Sequence, residues 1–231
     1  MTISNYDDFA PAYDADNAEN LLNNYYERPA MLDLVGDVRG RRVLDAGCGS
    51  GPLSVLLRER GAIVTGFDSS ARMIAIARKR LQPYADLRVL DLGDALPYED
   101  GAFDDVVASL VLHYLRDWDG ALAELRRVLR PGGRLILSVN HPLVFPLSVE
   151  GGKYFPIVEF PMECDFGGTQ ATLQTWHRPL HAMVDAFHEA GFRIADIAEP
   201  PVAPDTPAEL LPNGSTRFVS FIFFVLEPEQ R

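Results

Sequence analysis

Apolar residues along this chain follow two alternating rhythms. Segments 43–46, 62–67, 87–90, 104–110 and 134–139 are apolar almost without interruption, whereas 53–60, 71–81 and 118–129 space their apolar residues three and four apart. The first rhythm predicts strands buried on both faces, the second helices with one inward side. Strands and helices alternating at this pitch predict a doubly wound α/β fold, with a mostly parallel sheet covered on both faces. Gly61, Pro131-Gly132-Gly133 and Gly191 punctuate helix ends, the last closing a helix over 180–190. Two further strands, over 192–197 and 218–226, complete the sheet.

Three segments depart from the alternation. Residues 17–36 place Leu21, Leu22, Tyr25, Tyr26, Met31, Leu32 and Leu34 on an apolar side, predicting a helix that Pro29 kinks or splits. Residues 141–176, rich in Pro, Gly and aromatics, lack helical periodicity. A segment this long is seldom a passive linker, and it reads as an insertion with short strands that covers a site. Residues 199–215 hold five prolines and read as a surface loop. The organisation expected is an N-terminal helical segment, 1–40, before an α/β domain, 41–231, with 141–177 as a capping insertion.

The most informative stretch is Val43-Leu44-Asp45-Ala46-Gly47-Cys48-Gly49-Ser50-Gly51. A strand ends in an acid and turns into a helix through glycines at alternate positions. Such a loop takes positive φ and lets a ligand approach the backbone closely. A dinucleotide fingerprint needs Gly-x-Gly-x-x-Gly, but position 52 is Pro52, which argues against a nucleotide-dependent oxidoreductase. No Gly-Lys-Ser/Thr follows, so a P-loop is excluded. Asp68 ends the second strand, where an acid accepts from ribose hydroxyls. Asp91 can accept from an adenine amino group while the Leu92 N–H donates to a ring nitrogen, and Met73 and Leu110 can sandwich the purine.

Composition narrows the partners. Lys and Arg number 21 against 33 Asp and Glu, a net charge of −12, which disfavours nucleic acid. Arg39 to Arg42 is the densest basic stretch and reads as a turn before a strand. Two cysteines, Cys48 and Cys164, form neither a disulfide framework nor a zinc spacing, so no metal is expected. Residues 1–16 lack the apolar core of a secretory signal, and no run approaches a membrane span of about 18 apolar residues. A soluble, cytoplasmic protein is expected, with no membrane partner.

Taken in order, these motifs resemble class I S-adenosylmethionine-dependent methyltransferases. The carriers are the glycine loop with Asp45; Gly66-Phe67-Asp68-x-Ser70-x-x-Met73; Asp91-Leu92 with Leu96-Pro97-Tyr98 and Phe103-Asp104; Leu112-His113-Tyr114; and Leu129-Arg130-Pro131-Gly132-Gly133. The nearest type is the ubiquinone/menaquinone-biosynthesis-like methyltransferase domain. The match is clear over 42–140 and looser over 178–198 and 217–226. It implies seven strands in the order 3-2-1-4-5-7-6, the last antiparallel, with S-adenosylmethionine as cofactor and S-adenosylhomocysteine as product. By resemblance Asp45 and Gly47 face the methionine end, Asp68 the ribose, Asp91 and Leu92 the adenine, and Ser109 the region just after strand four, with Gly49, Ser69, Met73 and Leu110 as further cofactor contacts. The N-terminal segment resembles a lid in which Tyr13 or Tyr26 closes over the methionine part and Arg28 pairs with its carboxylate. Such a lid can be exchanged between subunits of a homodimer.

Methyl transfer from a sulfonium needs nucleophile, methyl and sulfur held collinear and dry, and a base only if the nucleophile arrives protonated. Of five histidines, His113 and His141 follow strands four and five at the ligand-binding edge and are candidates to act as base or to orient an acceptor. His177 opens the last helix and can face the same cleft. Tyr13, Tyr154, Trp176 and His177 form the expected substrate contacts. Aromatic density in the insertion suggests a small apolar or aromatic acceptor, methylated on O, N or C. A protein that binds the cofactor without methyl transfer is the alternative.

Overall fold

The computed structural model describes residues 5–229; the first four positions of the N-terminal segment and the last two of the chain lie outside the described residues. The sheet contains β1 (Arg42–Ala46), β2 (Ile63–Asp68), β3 (Asp86–Val89), β4 (Phe103–Ser109), β5 (Leu129–Asn140), β8 (Phe192–Ala198) and β9 (Phe221–Pro228). Its order is β3-β2-β1-β4-β5-β9-β8, and β9 runs antiparallel to both neighbours. Successive residues of the inner strands point to opposite faces. Val106 and Leu137 join the core under α5 (Asp119–Val128) and α7 (Leu180–Glu189), while Val107 and Ile136 join the core under α2 (Arg28–Val35) and α3 (Pro52–Glu59). Both faces are therefore apolar, as the unbroken hydrophobic runs require.

The N-terminal segment corrects the expectation of one helix over 17–36. A helix α1 spans Tyr6–Asn17, residues 18–20 break it, and a π-helical turn, Leu21–Glu27, leads into α2. Pro29 kinks nothing: it occupies the first turn of α2, where its missing N–H costs little. The Asn20 side chain accepts from the Asn23 N–H at 2.7 Å and starts the π turn. The signal for α1 was local: Asn5 accepts from the Asp7 N–H at 3.1 Å and Asp8 accepts from the Asn5 N–H at 3.3 Å, an Asn/Asp cap. Pro11 within α1 masked it.

The insertion is more regular than expected. After a short α6 (Val144–Ser148), two nine-residue strands, β6 (Val158–Phe166) and β7 (Thr169–His177), pair as a separate antiparallel hairpin. The hairpin and α1 build a shared satellite core: the Phe9 and Phe166 rings stack with centroids 5.4 Å apart, and Tyr13 meets Phe166 edge-on at 5.2 Å. Strand β5 begins at Leu129 rather than 134 because Pro131-Gly132-Gly133 is accommodated within it across a register shift, and β9 begins at Phe221 rather than 218. Residues 199–215 hold two single 3-10 turns.

Two polar anchors seat α1 over the sheet edge. Asp7 accepts from Ser70 Oγ at 2.5 Å and the Arg72 N–H at 3.1 Å, at the start of α4 (Ala71–Leu81). Arg80 donates to both carboxylate oxygens of Asp14, at 2.6 and 2.8 Å, and to Ser50 in the glycine loop. At the opposite edge Arg41 bridges Asp105 at 2.5 Å, so the basic stretch is partly consumed by the fold. Among the described residues no helix is long and apolar enough to cross a membrane.

Phe166→Ala should remove roughly 3 kcal/mol from the satellite core, the low end for deleting a packed ring. Hydrogen exchange is expected to quicken in α1 while β1 and β4 remain protected; equal loosening of both would show that α1 and the sheet open as one unit.

Candidate functional site

Parallel strands bring their C-terminal ends to one edge, and β1, β2 and β4 deliver Asp45, Asp68 and Ser109 there. After β1 the chain reverses through Gly47, Gly49 and Gly51 at φ of 75°, 53° and 86°. The Phe67 carbonyl accepts from the N–H groups of Gly47 and Cys48, at 2.9 and 2.8 Å. Asp68 accepts from the Gly49 N–H and the Ser70 N–H, both at 2.9 Å. A Cβ on Gly47 would meet Val111 Cγ2 at 2.5 Å, whereas one on Gly49 would meet nothing within 4 Å. Gly47 thus closes the turn against the chain after β4, and Gly49 keeps its open side toward the cavity.

A cavity of about 800 Å³ lies above this edge, roofed by α1, the π turn and the hairpin. Of the expected cofactor residues, Asp45, Gly47, Gly49, Asp68, Ser69 and Met73 line it, as do Asp91, Leu92, Ser109, Leu110 and Arg28. Leu110 holds φ at 50°, a left-handed conformation unusual for a branched side chain. Asp91 is exposed and accepts from the Gly93 N–H at 2.8 Å. Tyr26 does not line the cavity. It packs among Phe218, Phe221 and Phe223 and donates to the Phe221 carbonyl at 3.3 Å.

The predicted catalytic and substrate residues divide. His113 and Tyr13 line the cavity. His141 does not: its Nε2 meets Glu199 at 2.9 Å and its Nδ1 accepts from the Leu143 N–H, so both ring nitrogens are engaged. His177 and Trp176 stand beside His141 around a crevice of about 10 Å³, too small for an organic molecule. The Tyr154 hydroxyl accepts from the Leu180 N–H at 3.1 Å and caps α7, while its carbonyl meets His177 Nε2 at 2.6 Å.

Burial sets the electrostatics. The Asp45 carboxyl, fully buried beside the Ser54 hydroxyl at 2.6 Å, is pushed up to about 7, chiefly by desolvation. Burial also raises Asp68, Glu27 and Cys48. His113 is pushed down to about 3 by burial, and its Nδ1 has no hydrogen-bond partner among the described residues. Tyr13 is raised to about 12, and burial also raises Tyr6 and Tyr114, whose hydroxyls bond each other, well above the ordinary phenol value. Glu27, missed in the sequence, lies 3% exposed at this edge, and Ser109 and Ser138 both donate to it. Among the described residues no three His, Cys, Asp or Glu side chains are grouped to hold a metal.

A doubly wound sheet, a glycine turn after β1 and acids ending β1 and β2 define a nucleoside-binding α/β protein. Residues 44–137 match the methyltransferase domain family. A demethylmenaquinone methyltransferase of Thermus thermophilus is 38% identical over 157 residues, covering 63% of this chain and 66% of that protein. A malonyl-[acyl-carrier protein] O-methyltransferase of Serratia marcescens is 40% identical over 131 residues, covering 56% and 48%. The chain thus spans 48% to 66% of the length of these curated relatives. A solved structure from Listeria monocytogenes, assigned as an S-adenosylmethionine-dependent methyltransferase, superposes with a TM-score of 0.69 at 27% identity, covering 88% of this chain and 96% of that one. Residues 44–137 thus match a methyltransferase domain, and the chain resembles S-adenosylmethionine-dependent methyltransferases in sequence and fold.

The residues present fit the cofactor of that family, S-adenosylmethionine. The Gly49 side of the turn is open, Asp68 stands at the end of β2 beside Ser69, and Met73, Leu92 and Leu110 add apolar walls. Arg28 is a buried cation that forms no salt bridge among the described residues; it donates to Asn24 and Asn17.

Gly47→Ala should weaken S-adenosylhomocysteine binding at least about tenfold by calorimetry, because positive φ and the Val111 clash both oppose a Cβ. Asp45 gives a pH signature. Its folded value near 7 lies above the unfolded one, so the folded state holds the extra proton and stability falls as pH rises from about 4 to about 7. Asp45→Asn should therefore be more stable than wild type at about pH 8, with the gap narrowing toward about pH 5 in urea titrations. A pH-independent gap would place the Asp45 charge outside the balance.

Proposed function

We propose that this protein moves a methyl group from S-adenosylmethionine to an O, N or C atom of a small, uncharged apolar or aromatic molecule. One observation carries the reading: a single cavity joins the glycine turn and strand-end acids to a chamber lined by Tyr6, Tyr114, Met162, Phe166 and Leu173, with His113 also on its wall. When bound, the cofactor supplies a methyl group on a positively charged sulfur. Asp68 receives the ribose hydroxyls, Asp91 and the Leu92 N–H take the adenine edge, Met73 and Leu110 cover its faces, and Arg28 meets the carboxylate. Residues 1–40 act as the lid and 141–177 as the acceptor cap, and together they exclude water from the transfer.

Charge narrows the acceptor. Among the described residues Asp16, Glu27, Asp45, Asp68, Asp91 and Asp165 line the cavity, against one permanent cation, Arg28. Such a field favours a cationic cofactor and disfavours an anionic acceptor. The Serratia relative is named for a malonyl substrate; among the described residues no second cation lines the cavity to receive a carboxylate. His113, neutral across the working pH range, orients the acceptor by a hydrogen bond and takes a proton only as its nucleophilic atom gains positive charge.

The test is calorimetric binding of S-adenosylhomocysteine, followed by a radiolabelled methyl-transfer screen across quinols, phenols, indoles, amines and a malonyl thioester. Transfer to a neutral aromatic compound is expected, and none to the malonyl thioester. Co-purified NAD(P), or no affinity for S-adenosylhomocysteine, would overturn the reading. His113→Ala is expected to lower turnover on the accepted substrate about 10²-fold. The wild-type rate should show no inflection near 6.5, the ordinary imidazole value; an inflection that His113→Ala abolishes would make His113 a freely titrating base instead.

A further inference from the structure

Glu27 and Arg28 are consecutive, opposite in charge and buried, and both line the cavity. Yet no salt bridge joins them. The Arg28 guanidinium turns to Asn24 Oδ1 at 2.8 Å and to the Asn17 carbonyl at 3.2 Å. Glu27 turns to the sheet: its Oε1 accepts from Ser109 Oγ at 2.7 Å and Ser138 Oγ at 2.6 Å, two residues paired across β4 and β5. Its Oε2 receives no hydrogen bond among the described residues. Glu27 closes the π turn, and π-helical irregularities are frequent where a chain builds a site.

Arg28 lies near enough to favour the Glu27 charge but is not bonded to it, and burial still outweighs that attraction and the two serine hydroxyls. Asp45, the other buried acid close to it, has a hydroxyl of α3 on its Oδ2. Glu27 lines the cavity, so its second oxygen, unbonded among the described residues, is an acceptor available to a cationic group of a ligand there. Resting on the reading that the cavity takes S-adenosylmethionine, we propose that Glu27 binds the α-ammonium of the cofactor's amino-acid part. Glu27 and Arg28 then form a receptor for a zwitterion, one residue for each charge. The two serines hold the carboxylate in place, so its alignment does not have to be established on binding. An adenosyl ligand lacking the ammonium leaves Glu27 without a counter-ion.

Calorimetry with two probes tests this: S-adenosylhomocysteine, and its deaminated analogue with hydrogen in place of the α-ammonium. Wild-type protein should bind the first at least about tenfold more tightly. Glu27→Gln, which keeps an oxygen for the serine hydroxyls, should lose most of that preference while binding the analogue within about twofold of wild type. Equal wild-type affinity for the two probes overturns the inference, and so does a Glu27→Gln loss that is the same for both, which would make Glu27 a pin between the π turn and the sheet. If the variant does not fold, the wild-type comparison decides alone. Failure of wild type to bind either probe would instead sink the cofactor reading itself.

Discussion

The turn between β1 and α3 is held from outside its own strand. The end of β2 reaches across, with the Phe67 carbonyl taking two N–H groups and the Asp68 carboxylate taking the Gly49 N–H. Parallel pairing makes this possible, because it brings the C-terminal ends of β1 and β2 side by side. Asp68 also receives the Ser70 N–H at the start of α4. One carboxylate therefore ties the glycine turn, the second strand and the next helix into a single rigid corner, and everything above it takes its position from there.

The roof inherits that position. Asp7 sits on the Ser70 and Arg72 end of α4, and Arg80 spans from Asp14 in α1 to Ser50 in the turn. These links are polar and partly exposed, each contributing modestly by itself. The apolar closure comes from Phe9, Tyr13 and Phe166, where α1 meets the hairpin. A roof joined by a small core and a few surface pairs has less to break than the sheet beneath it, which suits a segment that must admit ligand.

The interior is acidic, and burial raises Asp45, Asp68 and Glu27 together above the ordinary carboxyl range. Their like charges add to this, since Glu27 and Asp68 each oppose ionisation of Asp45. A cavity of this kind carries negative potential that only a cationic ligand relieves. The same low-dielectric wall keeps His113 neutral, so the charge of the site stays set by its carboxyls and by Arg28.

Much of the sheet and one half of the site were legible in the sequence. Buried parallel strands must be apolar throughout, so β1, β2, β4 and the middle of β5 announced themselves, and glycine spacing marked a turn that only positive φ permits. Asp45, Asp68, Asp91 and Leu92 were readable because strand ends in such a sheet converge on one edge. The pairing of α1 with a hairpin more than 140 residues further along the chain was not readable, because those contacts join segments distant in sequence whose own periodicity is weak. His141, placed like His113 after a strand, and His177, an expected substrate contact, were candidates by position; only the folded chain turned them to Glu199 and the Tyr154 carbonyl. Glu27 carried no local signal at all. Its place between Ser109 and Ser138 depends on a π turn, two strands and the roof meeting at one point, and a linear pattern encodes the face of each element but not where three of them meet.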